Sequence, residues 1–258
     1  MSEKKLRPIM VQGAMPIEAE RFAARLEQVS VERTGNFAYY SGLLDGYPVI
    51  MVKTSKGVEN AAAATAIGIE RYQPIAIINQ GTAGGHDPAL QVGDIVIGTK
   101  GTPIGNLKTC DLEEGEGCKP FDWKPMDVMA SEGSAGEDKN AEKVRYYEAD
   151  PALLEVACRM KNTYRHGKVV EGIIGSANLW NNELDRIRWY RERYGTSDEE
   201  MESAAVAQMC AAYETPFLGI RVLSNNKTNN GAYNPTTAEY CQEFVFGVVR
   251  EYVRDLKK

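Results

Sequence analysis

The chain has 258 residues, is 43% hydrophobic and carries a net charge of −6, which suits a single folded domain with a full apolar core. It contains no basic cluster or stripe, so neither nucleic acid nor an anionic membrane is an expected partner. No apolar run approaches the roughly 18 residues that a membrane span needs, and we expect a cytoplasmic protein unless an export segment has been removed.

Strand and helix patterns alternate along the chain. The first part predicts a strand at 9–14, a helix at 17–28, a hairpin of strands 37–45 and 48–55, and an Ala-rich helix at 57–72. The middle predicts strands at 75–82 and 94–99, then an irregular excursion at about 100–150. The last part predicts helix 151–162, strand 168–177, helices 181–194 and 202–213, strand 216–225 and helix 236–258. The alternation favours an α/β fold, a single domain over 1–258 with a mixed central β-sheet flanked by helices.

The five cysteines divide into two groups. Cys158, Cys210 and Cys241 lie in apolar helical patterns and are predicted to be core thiols. Cys110 and Cys118 flank an acidic loop and could pair if the protein were exported. The sequence has two histidines and neither a CxxC nor an HExxH motif, so it does not predict a structural zinc site.

Four predicted strands end in segments that are rich in small residues and also carry polar or aromatic side chains. These segments are 13–18, 81–86, 175–180 and 224–226. Ligands of α/β sheets bind beyond the carboxyl ends of strands, so the four ends together predict a cleft. None of them contains the GxGxxG turn of dinucleotide-binding proteins or a P-loop.

A run of carboxylates, Glu199–Glu200–Met201–Glu202, stands where the chain passes from an extended segment to an Ala-rich helix. Acidic residues suit the N-terminus of a solvated helix, where they complement the helix dipole. Carboxylates this close together also occur where a protein binds a hydroxyl-rich or cationic ligand. The neighbouring strand ends favour the second interpretation.

Four motifs occur in the order GAMPIEAE, NQGTAGG followed by VGDIVIG, EEMESAAVAQ, and IRVLSNN. In this order they resemble the nucleoside phosphorylase/nucleosidase superfamily, and most closely its 5′-methylthioadenosine/S-adenosylhomocysteine nucleosidases. The resemblance covers about residues 9–99 and 168–253 and is weak or absent over 100–150. It implies a nucleoside phosphorylase-like domain, usually assembled as a homodimer. It also implies hydrolysis of the N-glycosidic bond of a purine nucleoside of this type, releasing the free base and a ribosyl product.

The resemblance also implies roles for single residues. Glu18 matches the glutamate that activates the attacking water, and Met201 and Glu202 match the pair that holds the ribose. Further substrate contacts are implied for Met15, Thr82, Ala83, Trp180, Glu200, Arg221 and Ser224. Bond cleavage builds positive charge on the sugar and negative charge on the purine, which explains a carboxylate near the ribose and a base for water. No metal or redox cofactor is implied.

Two of these positions, and His86 near them, have a plainer interpretation. Glu18 could be a solvated acid in the first turn of a helix, and Trp180 could be a core residue. His86 follows two glycines and is interpreted as a turn residue rather than a catalyst.

Asn225 departs from the nucleosidase pattern. The family places an aspartate there, as the general acid for purine N7. An amide can donate a hydrogen bond but cannot deliver a proton. Trimeric purine nucleoside phosphorylases, which act on 6-oxopurine nucleosides, resemble this chain in having asparagine. A 6-oxopurine nucleoside hydrolase is therefore an alternative, with Asn225 still expected to serve N7 in catalysis.

The first strand end separates nucleosidases from phosphorylases. Phosphorylases of the superfamily place an arginine after the first glycine turn, whereas here Gly13 is followed by Ala14–Met15–Pro16. An apolar turn does not bind a phosphate dianion, so water is the expected nucleophile. A purine nucleoside phosphorylase and a non-catalytic nucleoside-binding or storage protein remain alternatives. Asn225 favours the storage protein, and the presence of both Glu18 and Glu202 argues against it.

Overall fold

The protein is described here from a computed structural model, which covers residues 6–129 and 143–258. The elements of the first part are β1 (Ile9–Gly13), α1 (Pro16–Ala23), β2 (Glu27–Thr34), β3 (Phe37–Leu44), β4 (Tyr47–Lys53), α2 (Val58–Tyr72), β5 (Ala76–Gly85) and β6 (Ile95–Pro103). Five two-residue strands follow, β7 (Leu107–Lys108), β8 (Lys124–Pro125), β9 (Val128–Met129), β10 (Lys143–Val144) and β11 (Tyr147–Glu148). The last part contains α3 (Pro151–Arg159), β12 (Val169–Ser176), α4 (Leu184–Tyr194), β13 (Thr196–Glu200), α5 (Ser203–Ala212), β14 (Phe217–Asn225) and α6 (Thr237–Leu256).

The centre of the fold is a mixed sheet of ten strands. Its order is β11-β6-β12-β13-β5-β1-β4-β3-β2, and β14 pairs with both β5 and β6. Because β13 in turn joins β12 to β5, the strands β5, β14, β6, β12 and β13 close into a ring. Register shifts interrupt β12 against both of its neighbours and β14 against β5. Such irregularities bend strands, which a closed ring of strands requires.

Helices cover both faces of the sheet. On one face α1, α3 and α6 pack over a large apolar cluster that includes Ile9 and Val11 of β1. On the other face α2 and α5 pack together over a second cluster that includes Met10. Successive strand residues point to opposite faces, so the apolar run Ile9–Met10–Val11 of β1 contributes to both clusters. The predicted mixed α/β fold with flanking helices is confirmed.

Two strands were missed by the sequence patterns. The helix predicted at 17–28 ends at Ala23, and the largely polar β2 follows, exposed at the edge of the sheet and paired with β3. The polar segment Thr196–Glu200 forms β13, every residue of which is buried between β12 and β5. In both cases backbone pairing with neighbouring strands outweighs side-chain pattern, because β-propensity depends on context.

The predicted excursion contains little regular structure in its described part. Two short ladders, β7–β8 and β9–β10, stand apart, and β11 joins the edge of the main sheet at β6. Cys110 is half-buried, Cys118 is exposed, and both are free thiols, so the disulfide that export would have allowed is not formed in the structure. Of the predicted core thiols, Cys210 and Cys241 are buried and Cys158 is half-buried. Within the described residues, every helix is too short or too polar to cross a membrane.

Candidate active site

A cavity of about 330 Å³ lies where five strand ends meet. Its walls come from the turn after β1, the end of β5, the segment after β12, the passage from β13 to α5, and the end of β14. Ten of the site residues taken from the sequence line it: Met15, Glu18, Thr82, Ala83, Trp180, Glu200, Met201, Glu202, Ser224 and Asn225. Arg221 is not on the wall, and its side chain is fully buried beside Glu200. The cleft predicted from the strand ends is present.

Glu18 is held in one orientation by four donors. Its Oε2 accepts from the backbone amides of Ala14 (3.2 Å) and Met15 (3.1 Å), which belong to the turn before α1. Its Oε1 accepts from the amide and the hydroxyl of Thr82 (2.8 and 2.9 Å). The residue is 3% exposed and lines the cavity, so it is not a solvated acid of the first turn.

Glu202 stands immediately before the first residue of α5 and is 5% exposed. Its Oε1 accepts from the amide of Gly57 at 2.9 Å, and its Oε2 lies 3.8 Å from Nη2 of Arg221. Gly57 has a φ of +103°, a backbone conformation that favours glycine. Burial, and then the nearby Glu200 carboxylate, raise the pKa of Glu202 to about 8.

Glu200 and Arg221 form a buried pair next to Glu202. The Glu200 carboxylate accepts from Ser176 Oγ, from Arg221 Nη2, and from the backbone amides of Glu202 (3.0 Å) and Ser203 (2.9 Å). Those amides begin α5, where a carboxylate also complements the helix dipole. Arg221 Nη2 donates in addition to Asn79 Oδ1 and to Ser203 Oγ. The pair therefore positions the start of α5, and with it the Glu202 side chain.

Asn225 ends β14 with its amide directed to the cavity. Ser224 Oγ donates to Asn225 Oδ1 at 2.8 Å and lies 3.2 Å from the carbonyl oxygen of Ala83. The side-chain nitrogen Nδ2 of Asn225 has no hydrogen-bond acceptor among the residues that the structure describes. It lies next to Gly84, and both residues line the cavity. A free amide donor therefore faces any ligand at this end of the site.

Two aromatic side chains, Trp180 and Tyr233, also line the cavity. Trp180 is 55% exposed and lines the cavity, so it is not a core residue. Its ring packs edge-on against that of Tyr233, with the ring centroids 6.3 Å apart. Tyr233 was not found from the sequence, because it lies in a loop without periodicity between β14 and α6.

Other lining residues missed at the sequence level are Ala14, Lys56, Gly84, Leu179, Asn181 and Glu199. Glu199 belongs to the carboxylate run 199–202, which could have marked it as a site residue. The direction of its side chain, however, depends on residues 196–200 forming the strand β13. Residues of a strand point alternately to its two sides, so neighbouring glutamates have different surroundings.

His86 is not an ordinary turn residue. It is buried, its Nδ1 lies 2.7 Å from Thr196 Oγ1, and its ring stacks with that of Tyr190. Its Nε2 lies 3.1 Å from Glu199 Oε2, without the alignment of a hydrogen bond. On the same strand as Glu199, Asp198 is fully buried, and its oxygens accept no hydrogen bond from the described residues. Burial, and then the nearby Glu200 carboxylate, raise the pKa of Asp198 well above its ordinary value.

Comparison with known proteins extends over nearly the whole chain. A profile of the phosphorylase superfamily matches residues 8–254. The chain is 32% identical over 249 residues to a 5′-methylthioadenosine/S-adenosylhomocysteine nucleosidase of Bacillus cereus, covering 94% of this chain and 98% of that protein. It is 34% identical over 218 residues to the enzyme of the same name from Bacillus licheniformis, covering 84% and 85%. Its structure is similar to that of the Neisseria meningitidis nucleosidase in complex with methylthio-immucillin-A, with a TM-score of 0.75, 28% identity and coverage of 95% and 99%.

Proposed function

The chain belongs to the phosphorylase superfamily, and on that basis we propose that it is a purine nucleosidase. It hydrolyses the N-glycosidic bond of a nucleoside of the 5′-methylthioadenosine/S-adenosylhomocysteine type and releases the free base and a ribosyl product. One observation carries the proposal beyond family membership. Two buried carboxylates, Glu18 and Glu202, open onto one cavity, and each is oriented by backbone amides.

Glu202 and Met201 bind the ribose of the substrate. As the glycosidic bond breaks, positive charge develops on the ribose, and a carboxylate that accepts from the ribose hydroxyls stabilises it. Low local dielectric and a fixed orientation strengthen this interaction, and Glu202 has both. Glu200 and Arg221 act indirectly, by holding the start of α5.

Glu18 activates the water that attacks the sugar. A general base needs hydrogen-bond reach and a fixed position, and the amides of the β1–α1 turn and Thr82 supply the position. Purine N7 receives a hydrogen bond from the free Nδ2 of Asn225. The indole ring of Trp180, at the exposed side of the cavity, stacks on the base.

The site suits water better than phosphate as the nucleophile. The amides of Ala14 and Met15, which an anion could otherwise bind, are engaged by the Glu18 carboxylate. Lys56 is the one cationic side chain among the described residues that line the cavity, and it is exposed at the rim. A phosphate dianion would thus meet the Glu18 carboxylate and little opposing charge.

Activity is therefore expected to be independent of phosphate. With purified protein and a purine nucleoside, the initial rate is expected to be unchanged between phosphate-free buffer and about 50 mM phosphate at matched ionic strength. Chromatography of the products is expected to show free sugar. A rate that saturates with phosphate and yields sugar 1-phosphate would establish a phosphorylase instead.

Replacement of Asn225 by aspartate is expected to move base preference towards adenine nucleosides. A protonated aspartate can deliver its proton to N7 of the leaving adenine, whereas the amide only donates a hydrogen bond. The variant is also expected to lose kcat as rising pH removes that proton, a dependence absent from the native profile. Measured pH profiles on matched adenosine and inosine substrates test this. If neither preference nor profile changes, Asn225 does not face the base.

We also propose a homodimer. The Ala-rich helix α2 buries Ala61, Ala64 and Gly68 within its own subunit and leaves Ala63 exposed, so its small residues still offer a close-packing face. Further support comes from exposed apolar side chains that a second copy could cover: Ile17, Leu179, Trp180 and Tyr233. Sedimentation equilibrium at micromolar concentration is expected to give twice 28.5 kDa, and a monomer mass would refute the assembly.

A further inference from the structure

A second cavity, of about 530 Å³, adjoins the first and has no part in the reaction described above. It lies among the end of β5, the start of α4 and the loop after β14. The two cavities have four lining residues in common: Gly84, Asn181, Glu199 and Asn225. A group attached to a ligand in the first cavity can therefore reach the second.

Two glycines of β5 stand where the cavities adjoin. Gly84 lines both cavities, and Gly85 lines the second. A Cβ atom on Gly84 would lie 3.2 Å from Nδ2 of Asn225, and one on Gly85 would lie 3.1 Å from Cβ of Asn226. Side chains at these positions would thus crowd the residues that follow one another at the end of β14. With glycine at both positions, no side chain of β5 fills that space.

The proposed contact between Asn225 and purine N7 decides which part of the base lies at this boundary. In a purine, N7 and the exocyclic group on C6 lie on the same edge. Because Asn225 lines both cavities, a base that accepts from its Nδ2 at N7 presents the 6-substituent next to the second cavity. The ribose stays in the first cavity, since Glu202 lines that cavity and not the second.

One wall of the second cavity is apolar and comes from α4. Leu184 and Ile187 both line the cavity, and neither lines the first. They are three residues apart on the helix, so their side chains are neighbours on its surface. Leu184 is 49% exposed, which leaves most of this apolar surface for a ligand to cover.

The charges of the second cavity differ between its two sides. Among the described residues that line it, Glu199 is the one acid and Lys227 the one lysine or arginine. Glu199 belongs to the wall shared with the first cavity, whereas Lys227 does not line the first cavity. Lys227 is exposed, and its ammonium group has no acidic partner within the described part of the chain. A group that crosses this cavity from the base therefore begins beside a carboxylate and ends near a cation.

We propose that the second cavity is a subsite for a substituent on the 6-amino group of adenine, with an aliphatic stem and a carboxylate end. The stem packs on Leu184 and Ile187, and the carboxylate pairs with Lys227. A 6-amino nitrogen with one substituent keeps one hydrogen, so it still offers a donor at the shared wall. The inference rests on the proposed nucleosidase function and refines its substrate class to N6-substituted adenine nucleosides.

Three substrates with the same sugar test the inference in the native protein. They are 5′-methylthioadenosine, its N6-hexyl derivative and its N6-(5-carboxypentyl) derivative. We expect kcat/KM for both derivatives to equal or exceed that of the parent, since the stem covers apolar surface of α4. The carboxylate derivative is expected to exceed the hexyl derivative by about threefold at low salt and to lose this margin at about 0.5 M salt, as an exposed ion pair does. Lys227→Gln is expected to remove the same margin.

The Leu184→Trp variant assigns the effect to the second cavity, because the larger side chain fills it from α4. It is expected to lower kcat/KM for both derivatives by about tenfold or more. The value for 5′-methylthioadenosine is expected to stay within about twofold, since Leu184 does not line the first cavity. Leu256→Trp is the matched control, because Leu256 is also an exposed leucine, ends α6 and lines neither cavity. Equal losses for parent and derivatives in Leu184→Trp, or none for the derivatives, overturn the subsite.

Failure of the inference and failure of the proposed function give different results. If the native protein cleaves 5′-methylthioadenosine and loses tenfold or more in kcat/KM on both derivatives, the subsite is overturned and the nucleosidase proposal stands. Equal values for the two derivatives at low salt overturn the carboxylate end. If none of the three nucleosides is cleaved, the nucleosidase proposal fails, and calorimetric titration with N6-(5-carboxypentyl)adenine against adenine decides the subsite, which weaker binding than adenine overturns. Ile187→Trp fills the same cavity from the next turn of α4 if Leu184→Trp does not fold.

Discussion

Replacement of Glu202 by glutamine is expected to lower kcat by two or more orders of magnitude, about 3 kcal/mol in transition-state stabilisation. The amide keeps the shape and the contact with Gly57 but cannot oppose positive charge on the ribose. Because the native carboxylate is buried beside Glu200, loss of its charge is not expected to reduce stability. Single-turnover rates and thermal unfolding of the purified variant test both statements.

The matched control for this experiment is Glu214→Gln. Glu214 is exposed beyond the other end of α5, so its replacement removes the same charge from the same segment without touching the cavity. Native rates are expected for the control. Near-native turnover in Glu202→Gln itself would show that the ribose is held elsewhere.

The pH dependence of kcat/KM is expected to reflect the protonation of Glu202. Glu202 has to be anionic to stabilise the developing charge, so kcat/KM is expected to rise with pH up to its pKa of about 8. Its folded-state pKa lies above the ordinary 4.5, so the folded state binds this proton more tightly than the unfolded state. The stability that this proton contributes is full below about pH 4.5 and is lost as pH rises through about 8. The activity limb near 8 should be absent from Glu202→Gln.

Replacement of Arg221 by methionine is expected to cost about 3–5 kcal/mol of unfolding free energy, the range for breaking a buried ion pair from one side. Arg221 is the cationic partner of Glu200, and both side chains are buried. The variant leaves the Glu200 carboxylate without a counter-charge and leaves Asn79 Oδ1 without that donor. Urea unfolding with comparison of midpoints and slopes measures the loss.

The double variant Glu200→Gln with Arg221→Met tests why Arg221→Met loses stability. If the cost comes from an unpaired buried charge, removing both charges is expected to recover part of the stability that Arg221→Met loses. Activity is expected to be reduced in both Arg221→Met and the double variant, because the start of α5 no longer has its charged anchor. Strictly additive losses of stability would instead mean that the two side chains contribute independently.

The alternation of apolar strands and helices was sufficient to predict the class of fold. A sheet covered on both faces needs apolar residues on both sides of its strands: Ile9, Met10 and Val11 of β1 are all apolar because Ile9 and Val11 enter one cluster and Met10 the other. The strand ends were predictable from their composition, since backbone that lies close to a ligand needs small residues such as those at 81–85, which end β5. Motif order then predicted Glu18 and Glu202 as residues of one site, and both line the cavity.

The remaining strand and the remaining lining residues of the cavity were decided by the tertiary structure alone, because they depend on which segments of the chain pair. The sequence TSDEE has no strand pattern, and it becomes β13 only because β12 and β5 bracket it. That pairing places the Glu200 carboxylate against Arg221 and the Glu199 carboxylate against Asn181 and His86, so two adjacent and chemically identical residues have different partners. Tyr233 reaches the site by the path of a loop, which no local pattern encodes. The amino-acid sequence by itself thus determined the fold class and the main carboxylates, and the closed ring of strands decided which other side chains line the cavity.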